Sequence, residues 1–264
     1  FYPNERGPYN LDTNIDNEGK LLNPSDRWGG ITRKMDTNDF EAANIEYIEF
    51  WMMDPFINDS TNLHSGGDLY FNLGNISEDI LKDGKKFYEN GLPVNGDTTE
   101  VGYSVWGKYP KRQSTVYAFD NSGGMDSRRL QDVGFNGLSS EEEKTFHSYS
   151  NYINDIKSIV SSETTSNMEL DNHSPLNDPA GDNFRHYRGL TQDREQLSIL
   201  DRYKYFNGSE GNSLDAEEDK FSGASRTTPD TEDINNDNTL NENESYYQYK
   251  VSLHPGSMEI GSNF

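Results

Sequence analysis

The chain contains no cysteine among its 264 residues, so neither a disulfide framework nor thiolate chemistry is available to it. Lys/Arg runs are also missing: 46 acidic residues against 23 basic ones give a formal net charge of -23. Such a chain repels nucleic acid and anionic membrane surfaces, which excludes nucleic-acid partners. No apolar run is long enough for a membrane helix, so the chain itself is not expected to span a bilayer. Only 31% of its residues are hydrophobic, which predicts a core that is small beside its loops.

Catalytic patterns are equally sparse. The five histidines, His64, His147, His173, His186 and His254, are scattered, with neither the HExxH spacing nor a close pair suited to zinc. There is no GxSxG elbow and no GxxxxGK[ST] loop, and the pairs Gly29-Gly30 and Gly66-Gly67 read as turns. Glu49 has no identifiable second carboxylate for glycosidase chemistry, and a strand-edge glutamate paired with Arg33 accounts for it better. We therefore expect no enzyme.

What the chain does have is alternation. Ile45 to Asp54 carries aromatic and branched residues on both sides, as in a strand packed on two faces. Leu69, Phe71 and Leu73 alternate with Tyr70 and Asn72, and Tyr247, Tyr249, Val251 and Leu253 alternate with Gln248, Lys250 and Ser252. Trp28 to Met35, Tyr103 to Trp106 and Ser114 to Phe119 supply further short strands, the last two separated by Lys108 to Arg112 with its central Pro110.

Helical signals concentrate in one region. Phe146, Tyr149, Ile153, Ile156 and Val160 recur at three- and four-residue steps, and Ser139 with Glu142 forms a capping box, predicting a helix over Ser139 to Val160. A second, weaker helix is predicted from Thr191 to about Tyr205, burying Leu197, Leu200 and Tyr203, and a short helical turn after Ser77. Ser161 to Asn183 and Asn207 to Glu232 read as polar connectors without periodicity.

These elements predict a mainly β fold, an antiparallel β-sandwich of jelly-roll or galactose-binding-like type with one or two helices and long acidic loops. Residues 1–135 and 206–264 form its β-rich part, and 136–205 a helical insertion, within a single unit over 1–264. Because the chain opens at Phe1 without an initiator methionine or signal peptide, it is expected to be a soluble fragment of a longer protein.

The sharpest chemical motif is a loop spaced like the calcium loop of an EF-hand. Asp233, Asn235, Asp237, Thr239, Asn241 and Glu244 occupy its first, third, fifth, seventh, ninth and twelfth positions. Alternate oxygen donors on a tightly curved loop can surround a hard cation, so a structural calcium ion is expected there. Asn238 stands where the EF-hand has glycine, and the flanks read as loop and strand. Asp12, Asn14, Asp16 and Glu18 show a shorter run that turn chemistry explains, and no site is assigned to them.

Several segments resemble, in the same order, the SprA/Sov family of outer-membrane translocons of the type IX secretion system. They are Tyr2 to Asn10 (YPNERGPYN), Leu21 to Thr32 (LLNPSDRWGGIT), Ile45 to Ser77, Asn75 to Asn90 (NISEDILKDGKKFYEN), Gln131 to Leu138 (QDVGFNGL), Leu200 to Ser213 (LDRYKYFNGSEGNS) and Asp230 to Pro255. The resemblance implies a very large parent barrel in the outer membrane, facing the cell surface, that exports folded proteins and supports gliding motility. Other parts of that barrel, secretion-system subunits and exported cargo are its implied partners. The chain then is a soluble, non-catalytic domain that shapes the conduit or docks partners. The alternative from residues alone is a calcium-stabilised carbohydrate-binding sandwich, with Trp28, Trp51 and Trp106 as stacking candidates.

Overall fold

A computed structural model of the chain describes residues 1–37, 39–52, 66–86, 99–112, 118–120, 122–212, 228–254 and 257. In chain order its main elements are β1 (Asp68–Asn75), β2 (Val101–Tyr103), β3 (Lys108–Pro110), α1 (Gly124–Gln131), α2 (Ser140–Glu143), α3 (His147–Ile159), α4 (Ser162–Leu170), α5 (Leu190–Glu195), α6 (Ile199–Tyr203) and β4 (Ser245–Ser252). The chain forms two compact units: Phe1–Thr32 with Asp79–Leu240, and Arg33–Glu78 with Asn241–Phe264.

The first unit is organised by α3. Its Tyr149 packs with Leu138 and Ala180, with Tyr9, Trp106 and Phe146 against them. Its other buried residues, Tyr152 and Ile156, meet Ile15, Leu21 and Val160 in a second cluster. The three- and four-residue spacing therefore does face a core, and each such side chain contributes about 1.5–3 kcal/mol by leaving water. Ile15 reaches that core because Ile15 and Leu21 pair across a turn held by Asp16 Oδ1, which accepts the amides of Glu18 and Lys20. The acidic run there is turn chemistry.

Side-chain caps, more than apolar stripes, define α2, α4 and α6. Ser139 Oγ accepts the Glu142 amide and Glu142 Oε2 accepts the Ser139 amide at 3.0 Å, which is the predicted capping box. The helix it starts is short, however. At Phe146 the backbone is extended (φ -72, ψ 136) and caps α3, so the single predicted helix is two. A similar break divides the second predicted helix: Gln196 turns left-handed (φ 51), and Ser198 recaps the chain by accepting the Asp201 amide. Leu200 and Tyr203, expected inside, are exposed. Within the presumed connector 161–183, Ser161 Oγ accepts the Thr164 amide and starts α4, a helix with no buried residue. Residues 78–86, directly after Ser77, form no helix; Asp79 instead accepts the amides of Asp83 and Gly84.

In the second unit β1 and β4 pair antiparallel, with Leu69 opposite Val251, Phe71 opposite Tyr249 and Leu73 opposite Tyr247. Lys250 Nζ reaches Asp68 at 2.8 Å, and Gln248 donates to Asn72. β1 alternates exposed and half-buried residues as predicted, whereas β4 forms a strand but is exposed on both sides from Ser245 to Lys250.

The described residues form no β-sandwich. Among the described residues there are four short strands in two separate two-stranded sheets, and six helices. Alternation sets which way side chains point, but a strand also needs a hydrogen-bonded neighbour. Residues 28–35 find none and run irregular, with Trp28 and Ile31 exposed. Residues 45–52 do the same, leaving Tyr47 and Trp51 exposed, while 53 and 54 of that predicted strand lie outside the described residues. Glu49 is exposed there and makes no ion pair with Arg33 among the described residues. The strand predicted over Tyr103 to Trp106 ends at Tyr103, and Lys108 to Pro110, read as a separator, is its partner β3. Of the strand at 114–119, only Ala118 and Phe119 are described, and both are irregular.

Candidate metal loop and a buried carboxylate cluster

The predicted calcium loop is built as nested side-chain turns around Asp233. Its Oδ1 accepts the Asp237 amide at 3.0 Å and its Oδ2 the Asn238 amide at 2.7 Å. Asn235 Oδ1 also accepts the Asp237 amide, and Asp237 Oδ1 accepts both the amide and the hydroxyl of Thr239. Such bonds curl the chain enough that Asn236 and Asn238 adopt positive φ (61 and 68), the conformation asparagine tolerates in place of glycine. Asp233 is buried, and its Oδ2 also faces the buried Lys86 ammonium at 3.3 Å.

Asp233, Asn235, Asp237 and Thr239 are thus brought together in the first unit. Asn241 and Glu244 belong to the second unit, where the Asn241 amide and side chain donate to Glu78 Oε2 and the Glu78 amide donates back to the Asn241 carbonyl. Glu244 is exposed just before β4.

A second acidic constellation, absent from the sequence reading, lies inside the first unit. Glu143, Asp182 and Glu210 each place a carboxylate oxygen so that all three atoms lie within 4.8 Å of one another. Glu143 ends α2. Asp182 closes the turn Asp178-Pro179-Ala180-Gly181-Asp182, in which the Asp178 carboxylate accepts the amides of Gly181, Asp182 and Asn183. Glu210 bridges Val133 on one side and Asn183 on the other, and its amide donates to the Asp182 carbonyl at 2.9 Å. Gly134, at φ 77, lets the backbone lie against the cluster; a Cβ there would overlap Asp182 Oδ2.

Neutral donors surround these carboxylates. Glu143 Oε1 accepts from Asn136 Nδ2 and its Oε2 accepts the Ala180 amide. Glu210 accepts the amide and hydroxyl of Ser140. Asp182 Oδ2 accepts the Tyr9 hydroxyl at 2.6 Å, whereas its Oδ1 is buried without a hydrogen-bond partner. Burial, with repulsion from Glu210 and Asp178, pushes the Glu143 carboxyl up to about 8. Burial and the Asp182 charge push Glu210 up to about 8 as well, and Asp182 is raised well above the usual carboxylate range by burial and Glu143.

Sequence reasoning missed all three because they come from a helix first turn and from two segments read as polar connectors. The local signals were the proline- and glycine-containing turn at 178–182 and the glycines flanking Glu210 at 208 and 211. The aromatic candidates do not form a platform: Trp28 and Trp51 lie exposed on irregular backbone, and Trp106 packs against the α3 core.

With this geometry in hand, comparison with known proteins gives the class. Residues 151–264 match a family model described as motility related/secretion protein, which points to a role in motility or secretion. The family is SprA_N, and the match supports membership of the chain in the SprA family, as the resemblance of its segments implied. No curated protein matches the chain. Among the described residues no helix is long and apolar enough to cross a membrane.

Proposed function

We propose that the chain is a non-catalytic domain of an outer-membrane translocon in type IX secretion, where it shapes the conduit or docks secretion subunits and exported cargo. The match of residues 151–264 to the motility and secretion family carries this reading. The net charge of -23 supports it by discouraging nonspecific adhesion of acidic cargo. So do the large aromatics on the surface of the second unit, Tyr47, Trp51, Tyr247 and Tyr249, since exposed apolar groups of this size suit contact with other protein. The carbohydrate-binding alternative depended on the sandwich and is not retained.

Calcium at the 233–244 loop is part of the same proposal. There the ion has to compete with the Lys86 ammonium for Asp233 Oδ2, so its binding is expected to be weak.

Site-specific photo-crosslinking tests the docking role. A benzoylphenylalanine at Tyr247 or Trp51 of the full-length parent, in growing cells, is expected to trap exported proteins or secretion subunits. A correctly assembled parent that yields no adduct from either position contradicts it.

A further inference from the structure

We propose that Glu143, Asp182 and Glu210 form a calcium site at the centre of the first unit. The site is distinct from the 233–244 loop and independent of the secretion reading. Three observations carry it. The three carboxylates converge inside the protein, and among the described residues no Lys or Arg forms an ion pair with any of them. Asp182 is fully buried, yet its Oδ1 has no donor, an arrangement that costs free energy unless something positive faces it. Finally, every candidate ligand is a hard oxygen, including the nearby Ser209 hydroxyl, which lies 3.0 Å from the Tyr9 hydroxyl.

The spacing and the ligand chemistry suit a hard divalent cation. Two oxygens bound to one ion can be no farther apart than twice the metal–oxygen distance, about 4.8 Å for calcium and about 4.2 Å for magnesium. The convergence within 4.8 Å is compatible with calcium, and a buried set of protein oxygens with no fixed octahedral geometry suits calcium better than magnesium, which keeps several of its waters. Shared protons are the competing way to relieve the repulsion, but each proton neutralises one charge. A single divalent ion offsets two and also supplies a partner for Asp182 Oδ1. Asp178 is not a ligand, because its carboxylate is already engaged by the three turn amides.

Calorimetric titration and thermal melting of the whole chain test the site, in an Asp237→Ala, Glu244→Ala background that disables the loop. We expect one calcium bound per chain and a higher Tm in calcium chloride than in EGTA. Asp182→Asn and Glu210→Gln should each lower calcium affinity at least tenfold and abolish the Tm response. In EGTA, Asp182→Asn should melt no lower than the background, since it removes a repelling charge; a carboxylate acting only as a hydrogen-bond acceptor predicts a lower Tm there. Absence of calcium binding in the background protein, unchanged affinity in both variants, or binding of magnesium in preference to calcium overturns the proposal.

Discussion

The Tyr9 hydroxyl donates to Asp182 Oδ2 across 2.6 Å and accepts the Phe135 amide at 3.0 Å, fastening the N-terminal segment to the buried acidic turn. Burial and the adjacent carboxylate push the phenol well above its ordinary value, so it remains a donor at every accessible pH. Tyr9→Phe should therefore destabilise the first unit by roughly 2 kcal/mol, the scale of losing a buried hydrogen bond and leaving a buried amide unpaired. Urea unfolding followed by fluorescence checks this; an unchanged midpoint contradicts it.

Two glycines with nearly the same backbone separate steric overlap from conformational strain. Gly134 (φ 77) presses on Asp182, whereas Gly211 (φ 73) faces open space. Gly211→Ala should cost about 1 kcal/mol, the left-handed penalty alone. Gly134→Ala should cost clearly more, and equal unfolding midpoints for the two variants argue against the packing described.

The capping box is a third, purely local test. Ser139→Ala removes the acceptor for the Glu142 amide and should cost about 1 kcal/mol by the same unfolding assay. Ser139→Asp, which keeps an acceptor, should restore most of it.

Below neutral pH the stability of the first unit is set by two opposing titrations: Glu143, Asp182 and Glu210, whose pKa values are raised, add stability as the pH falls, and His173 removes it. Its ring stacks on Tyr205 with centroids 3.7 Å apart, and its Nδ1 is buried without a partner. Burial lowers its pKa below 6.5, outweighing attraction from Asp178 and Asp171, while Arg185 and Lys204 add to the lowering. At this ring the folded state binds fewer protons than the unfolded state, so the stability it contributes above pH 6.5 is lost as the pH falls through the folded value. The three raised carboxylates outweigh the single imidazole, so the unfolding midpoint measured in EGTA should rise between pH 7.5 and 5, and His173→Gln should steepen that rise. The carboxylates Glu5 and Asp12, whose pKa values are lowered, act only at more acid pH.

How much of this was legible in the sequence depended on how local its cause was. The ribbon strands β1 and β4 were readable because each carries an uninterrupted two-residue alternation, and each found the other as partner. The capping box was readable because Ser139 and Glu142 need only one turn of helix. Residues 45–52 carry as strong a pattern as β1 but pair with no strand among the described residues, although Phe50 meets Phe71 of β1 ring to ring, and no single sequence shows that. Helix α4 escaped notice because its cap, and no apolar stripe, defines it. The cluster of Glu143, Asp182 and Glu210 was invisible for a third reason: in a chain with 46 acidic residues, convergence depends on bridges at Val133 and Asn183.

The secretion role is tested most directly by complementation. A strain lacking the parent gene is given either the intact gene or one without the region encoding residues 151–264, and exported cargo is quantified in the medium at matched outer-membrane abundance of the two proteins. Loss of cargo from the medium, with accumulation in the periplasm, is the predicted result. Undiminished export by the shortened parent contradicts it.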